Sequence, residues 1–288
     1  MELRRVEFRV LGRVEAVGAS DMVPLGGLKP QTLLAALLVH ANTSVTADRL
    51  TEVLWAGSPP ASARANIRSY AAGLRRSLNA ASGGDRLSPG HHGYRLLVLP
   101  DELDLRCFDD LATRGREAMA EGDHRSAAER LRAALDLWRG AAFDGLAQHS
   151  VLHMEASRLE ESRISVFEDH AAASLALGEY EELVPELRAQ TVVHPLRERL
   201  WGLLITAQYH CGRPGDALRS YARARRALRD ELGLDPGAEL RQLHQAVVAR
   251  NLPRIAESQA QRRNAVQRPD PPVPAPLYLG ARPQPTKL

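Results

Sequence analysis

The 288-residue sequence predicts a mainly α-helical protein with a small β component, a winged helix-turn-helix domain followed by a tetratricopeptide-like α-helical bundle. Three observations predict it. Residues 45–95 run VTADRLTEVLWA, a turn at SPP, ASARANIRSYAAGLRRSLN and RLSPGHHGYRLLV, which is the order helix, turn, basic helix and hairpin. Helical periodicity then begins at Leu105 and persists to about Arg250, with Gly178 and Gly212 standing 34 residues apart, the length of a tetratricopeptide helix pair. Charge divides at the same joint. Residues 1–100 carry 12 Arg or Lys against 7 Asp or Glu, a net of +5, whereas residues 101–252 carry 20 against 26, a net of −6.

The elements follow in order. VEFRVLGRVEAV and MVPLGG cluster β-branched residues and end at Gly26-Gly27, so a small antiparallel sheet opens the chain. PQTLLAALLVHAN places Leu33, Leu34, Leu37 and Leu38 on one stripe behind Pro30, a buried first helix ending near Asn42. Thr46 is positioned to cap the second helix, and Trp55 closes it before the Gly57-Ser58-Pro59-Pro60 breaker. In the helix expected over 61–79, Ile67, Ala71, Leu74 and Leu78 share one face and must turn inward. Its opposite face is then Ser62, Ala65, Ser69, Ala72 and Arg76, flanked by Arg68, Arg75 and Asn66. GYRLLVLP is strand-like, with turns at Gly83-Gly84 and Pro89-Gly90.

In the helical half, WGLLITAQYHCGRPGDALRSYARA sets Trp201, Leu204, Gly212, Ala217, Tyr221 and Ala224 at the offsets of a helix-pair repeat. Phe167, Gly178 and Pro195 hold matching positions one period earlier, and Gly115, Gly122, Ala127 and Ala134 form a weaker first copy. Residues 253–288 hold 8 of the 18 prolines and almost no apolar period, so a disordered tail of net charge +4 is expected there. The expected domains are therefore 1–100, 101–252 and the tail 253–288.

Composition excludes several classes. No stretch approaches the roughly 18–20 apolar residues of a membrane span, and the start MELRRVEFRV lacks a signal peptide's apolar run. A cytoplasmic protein with no membrane partner is expected. The only cysteines, Cys107 and Cys211, make neither a disulfide framework nor a zinc site. His149 and His153 stand i, i+4, but a metal pair there lacks a third ligand nearby in sequence. GGLKPQT lacks the glycine a phosphate loop needs before its lysine, no nucleophile elbow or framed carboxylate pair occurs, and Glu179, Glu181 and Glu182 fall on a repeat turn. Neither catalysis nor a cofactor is expected.

Small residues let the helix over 61–79 approach a duplex, while arginines reach phosphates and guanine edges. Arg68, Ser69 and Arg76 are the candidates for the groove face, with Ser62 and Asn66 beside them. Arg64 and Arg75 are candidates for phosphates, Arg64 lying nearest the core stripe and open to a local partner instead. His91 and His92 at the hairpin tip could touch the backbone or the minor groove, or simply be solvated. Double-stranded DNA is the expected partner of the basic head and protein that of the acidic middle.

VPLGGLKPQTLLAALLVHAN, VTADRLTEVLWAGSPPASARANIRSYAAGLRRSL, GYRL and PDELDLRCFDDL resemble the N-terminal winged helix of the Streptomyces antibiotic regulatory proteins. LGEYEELVPELRAQTVVHPLRERLWGLLITAQYHCGRPGDALRSYARARRALRDELGLDPGAEL is similar to that family's bacterial transcriptional activation domain, and the likeness spans about residues 5–250. The resemblance implies an OmpR-type winged helix, a tetratricopeptide-like bundle and a pathway-specific activator of secondary-metabolite genes in its short form. It implies binding to promoter direct repeats, self-association on DNA and contact with RNA polymerase through sigma factor and other subunits. Two positions depart from the pattern: Gly90-His91-His92 stands where such wings often carry an arginine, and the first helix lacks the arginine usual near Thr32. A different class, a helical-repeat adaptor or ligand-sensing regulator whose N-terminal domain contacts protein, differs in predicting no salt-dependent shift of promoter DNA.

Overall fold

The computed structural model describes residues 3–19, 21–90, 92–146 and 151–253. Strand β1 (Glu7–Arg9) pairs antiparallel with β2 (Glu15–Val17), setting Phe8 opposite Ala16. Helix α1 (Leu28–Val39) is buried without a break from Thr32 to Leu38. The expected leucine stripe is thus part of a helix enclosed on all sides, because Ala35 and Ala36 are covered as well. The helix stops at Val39, and Asn42, with φ of 67°, turns the chain toward the wing. Its side-chain amide exchanges two 2.9 Å hydrogen bonds with the backbone N–H and carbonyl of Val98.

Strand β3 (Ser44–Thr46) leads directly into α2 (Ala47–Trp55), and Thr46 Oγ1 accepts from the Arg49 N–H at 3.3 Å as the cap. Helix α3 (Ala63–Ser82) begins after one turn anchored by the Ala63 N–H on the Pro60 carbonyl. It runs three residues beyond the expected end, because Ser82 is buried and its hydroxyl satisfies the carbonyls of Leu78 and Gly84 at 2.9 Å. Strands β4 (Leu87–Pro89) and β5 (Gly93–Leu96) form the hairpin, and β5 lies between β3 and β4. Gly93 is required at its place: a Cβ there would lie 1.8 Å from the Val45 carbonyl oxygen.

The remainder is helical: α4 (Asp104–Glu121), α5 (His124–Asp136), α6 (Val151–Leu177), α7 (Tyr180–Val193), α8 (Glu198–His210), α9 (Pro214–Leu232) and α10 (Ala238–Val248). Three of the turns are the same motif. The Asp123 N–H donates to the Ala118 carbonyl, Glu179 to Ser174 and Arg213 to Gln208, at 2.9, 3.0 and 2.9 Å, each across a glycine of positive φ at 122, 178 or 212. The 34-residue spacing is therefore two copies of one helix-turn-helix hairpin.

Head and bundle share a core. One cluster of buried side chains runs from Val6 through Phe108 and Phe143 to Ala173, and residues up to Leu252 form one compact unit. The segment following α5 docks along the head, with the N–H groups of Arg139 and Phe143 donating to the carbonyls of Leu11 and Val10 at 2.8 and 2.9 Å. The rings of Trp138 and Phe108 meet in a T-shaped pair, 5.5 Å between centroids. Asp104 is buried at this seam, accepting from the backbone of Val10 and Leu11 and from Arg139. Burial pushes its carboxyl above the ordinary value, and those amides and the guanidinium pull it back. The tail expected over 253–288 lies, from residue 254 on, outside the described residues.

Candidate nucleic-acid interface

The candidate recognition surface follows from which side of α3 the core takes. Ile67, Ala71, Leu74 and Leu78 are each no more than 2% exposed. That leaves Ser62, Arg64, Ala65, Arg68, Ser69, Ala72 and Arg76 exposed along the opposite side. The small residues Ser69 and Ala72 lie between Arg68 and Arg76 along the helix, with Ala65 preceding Arg68, so the backbone can approach a convex partner with a guanidinium at either end. Neither Arg68 nor Arg76 has an ion-pair partner among the described residues.

The other candidate residues are held more tightly. Arg64 donates to Asp48 Oδ1 at 2.9 Å, the local partner that the sequence left open. With the two side chains 72% and 81% exposed, this pair is screened by water and yields readily to a phosphate. Arg75 is half-buried, and its Nε donates to the Leu87 carbonyl at 2.6 Å, fastening β4 to the fourth turn of α3. Asn66 is half-buried and donates to the Ser62 hydroxyl at 3.2 Å. His92 is exposed at the hairpin tip, where its carbonyl accepts from the Ala47 N–H at 2.9 Å and ties the tip to the start of α2. His91 lies outside the described residues, as does His149 of the spaced pair. Among the described residues no group of three His, Cys, Asp or Glu side chains is placed to hold a metal ion.

One residue escaped the sequence reading. Arg95 is exposed on β5, the central strand of the wing sheet, and pairs in register with Ser44 and Ser88. The signal was the alternation of GYRL, since burial of Leu96 turns its neighbour Arg95 to the opposite face. Arg86, nine residues earlier, behaves in the opposite way and is fully buried.

A helix-turn-helix closed by a three-stranded wing and packed on a helical bundle is the fold of a winged-helix transcriptional regulator. Residues 103–248 match the family model of the bacterial transcriptional activator domain. The regulatory protein DnrI of Streptomyces peucetius is 36% identical over 250 residues, 84% of this chain and 92% of DnrI. The transcriptional regulatory protein EmbR of Mycobacterium tuberculosis is 37% identical over 247 residues, and the match takes in 85% of this chain but only 64% of EmbR's length. The structure of M. tuberculosis EmbR in complex with a low affinity phosphopeptide superimposes with a TM-score of 0.85 at 35% identity, covering 91% of this chain and 70% of that one. The chain belongs to the Streptomyces antibiotic regulatory protein family of transcriptional regulators. No helix among the described residues is long and apolar enough to cross a membrane.

Proposed function

We propose that this protein is a sequence-specific DNA-binding transcriptional activator whose α3 enters the major groove of promoter direct repeats. The observation that carries the reading is the exposed face of α3, where Arg68, Ser69 and Arg76 stand clear opposite a fully buried stripe. Arg68 and Arg76 read base edges, and Arg64, Arg75 and the wing residues Arg95, His91 and His92 bind the phosphate backbone, with Ser62 and Asn66 at the helix start. Residues 1–100 supply this contact. The tetratricopeptide-like helices of 101–252 supply protein contacts, holding RNA polymerase through sigma factor and other subunits and joining protomers on adjacent repeats. The reading places the protein in the cytoplasm, without enzymatic activity, acting on genes of antibiotic or other secondary metabolism.

Quantitative footprinting on promoters adjacent to the protein's own gene tests this directly. Protection of direct repeats, with log affinity falling linearly against log salt, is expected. Sequence-independent binding, or none, would reject it.

A further inference from the structure

The geometry points to an anion-binding cleft in the helical bundle, on α7, α8 and α9, that takes a phosphoryl dianion. Arg188 of α7 and Arg219 and Arg223 of α9 line one recess of about 270 Å³. Its floor is polar although it is deeply covered: Thr191, Gln208 and Ser220 are 2%, 2% and 5% exposed and line the same recess. Gln208 is held in place by accepting from the Ser220 hydroxyl at 2.8 Å. The Thr191 hydroxyl donates to the Arg188 carbonyl at 2.9 Å, so the two floor hydroxyls fix the recess, and the Gln208 amide with the ring of guanidinium groups above it supplies the charge and the directional N–H donors that a phosphate's oxygens require.

The charge balance selects the ligand. Arg219 is already paired with Asp216, which also lines the recess. Arg188 and Arg223 have no ion-pair partner among the described residues. Two uncompensated cations match a group carrying close to two negative charges at neutral pH, as a phosphate monoester does. Arginine suits the task because its planar fork pairs with two oxygens at once. The apolar wall from the buried Trp201 and Leu204 and the exposed Val192 at the mouth leave room for the body of a small phosphorylated metabolite. The inference is independent of whether α3 reads DNA.

Isothermal titration of the full chain with inorganic phosphate and, separately, with a hexose 6-phosphate tests the assignment and distinguishes free phosphate from an esterified one. Saturable binding of at least one of them is expected, weakened about tenfold or more in Arg188→Ala and in Arg223→Ala. Arg226→Ala, on the same helix but outside the recess, should bind like the wild type. All three positions are exposed, and far-ultraviolet circular dichroism checks that the variants fold. Three results would overturn the assignment: no saturable binding of either probe at millimolar concentration, equal weakening in Arg226→Ala, or loss of promoter-DNA affinity alone in the two cleft variants.

Discussion

Arg86 and Glu102 form a fully buried, two-point ion pair that joins the base of the wing to the first residues of the chain. Arg86 Nη1 and Nη2 lie 2.7 and 2.8 Å from the two Glu102 oxygens. Glu102 also accepts from the N–H groups of Val6 at 3.0 Å and Leu99 at 2.7 Å, and Arg86 donates to the Arg4 carbonyl at 2.6 Å. Removing one partner leaves an unpaired charge in the core. Arg86→Met should therefore cost about 3–5 kcal/mol of unfolding free energy, read by urea denaturation. Adding Glu102→Leu should fail to restore the wild-type value, because the Val6 and Leu99 amides lose their acceptor. Full recovery in the double variant would show that those amides find other partners.

On the exposed face of α3 that is proposed to enter the groove, Arg68→Ala and Arg76→Ala should each weaken specific binding by about 1–3 kcal/mol and relax base preference at one position. Arg95→Ala should act differently, lowering affinity for all sequences alike and reducing the salt slope by about one. Mobility shifts over a salt series separate the two behaviours. Wild-type affinity in both α3 variants would remove that helix from the groove.

The wing has its own sensitive point at Gly93. Alanine there must push Val45 aside and open the β3–β5 ladder, an effect on the order of 3 kcal/mol. Hydrogen exchange at the Thr46 and Tyr94 amides should rise in the variant while the α8 and α9 amides stay protected. Uniform loss of protection across the chain would mean that the wing and bundle unfold as one.

Truncation after residue 104 should yield a head that does not fold stably. Phe108, Phe143 and Leu131 belong to the same buried cluster as Phe8 and Leu33, and Arg139 closes the backbone of Leu11. Deleting residues 254–288 should leave the melting temperature unchanged, because the compact unit closes at Leu252. Calorimetry on both truncations decides, and a cooperative transition in 1–104 near that of the full chain would contradict the shared core.

Acid should destabilise the fold through His170. Burial, and then the neighbouring Arg132 guanidinium, hold its imidazole below the ordinary value near 6.5. The unfolded chain then binds a proton that the folded one refuses, so the histidine costs nothing above pH 6.5 and stability falls as pH drops from there toward the depressed folded value. His170→Gln should flatten this part of the stability profile. An unchanged slope in the variant would assign the acid sensitivity to other groups.

Short-range pattern was enough to place most elements. The stripe of Ile67, Ala71, Leu74 and Leu78, the Thr46 cap, the breaker after Trp55 and the glycine turns at 178 and 212 depend on residues within a few positions of one another, where spacing is set by backbone geometry. The exposed face of α3 follows from the same periodicity, which is why Arg68, Ser69 and Arg76 could be named in advance. What no local pattern carried was the fate of individual arginines. Arg86 is buried while Arg95 is exposed, and Arg75 commits its Nε to the Leu87 carbonyl and keeps only its terminal nitrogens for another partner, because each depends on what the fold brings beside it from a distant segment: Glu102, Ser44 or β4. The union of head and bundle in one core arises in the same way. Its contacts, such as Phe143 with Val10 and Asp104 with Leu11, span about a hundred residues or more of chain, and hydrophobic burial is non-directional, so only the assembled packing selects which apolar segments meet.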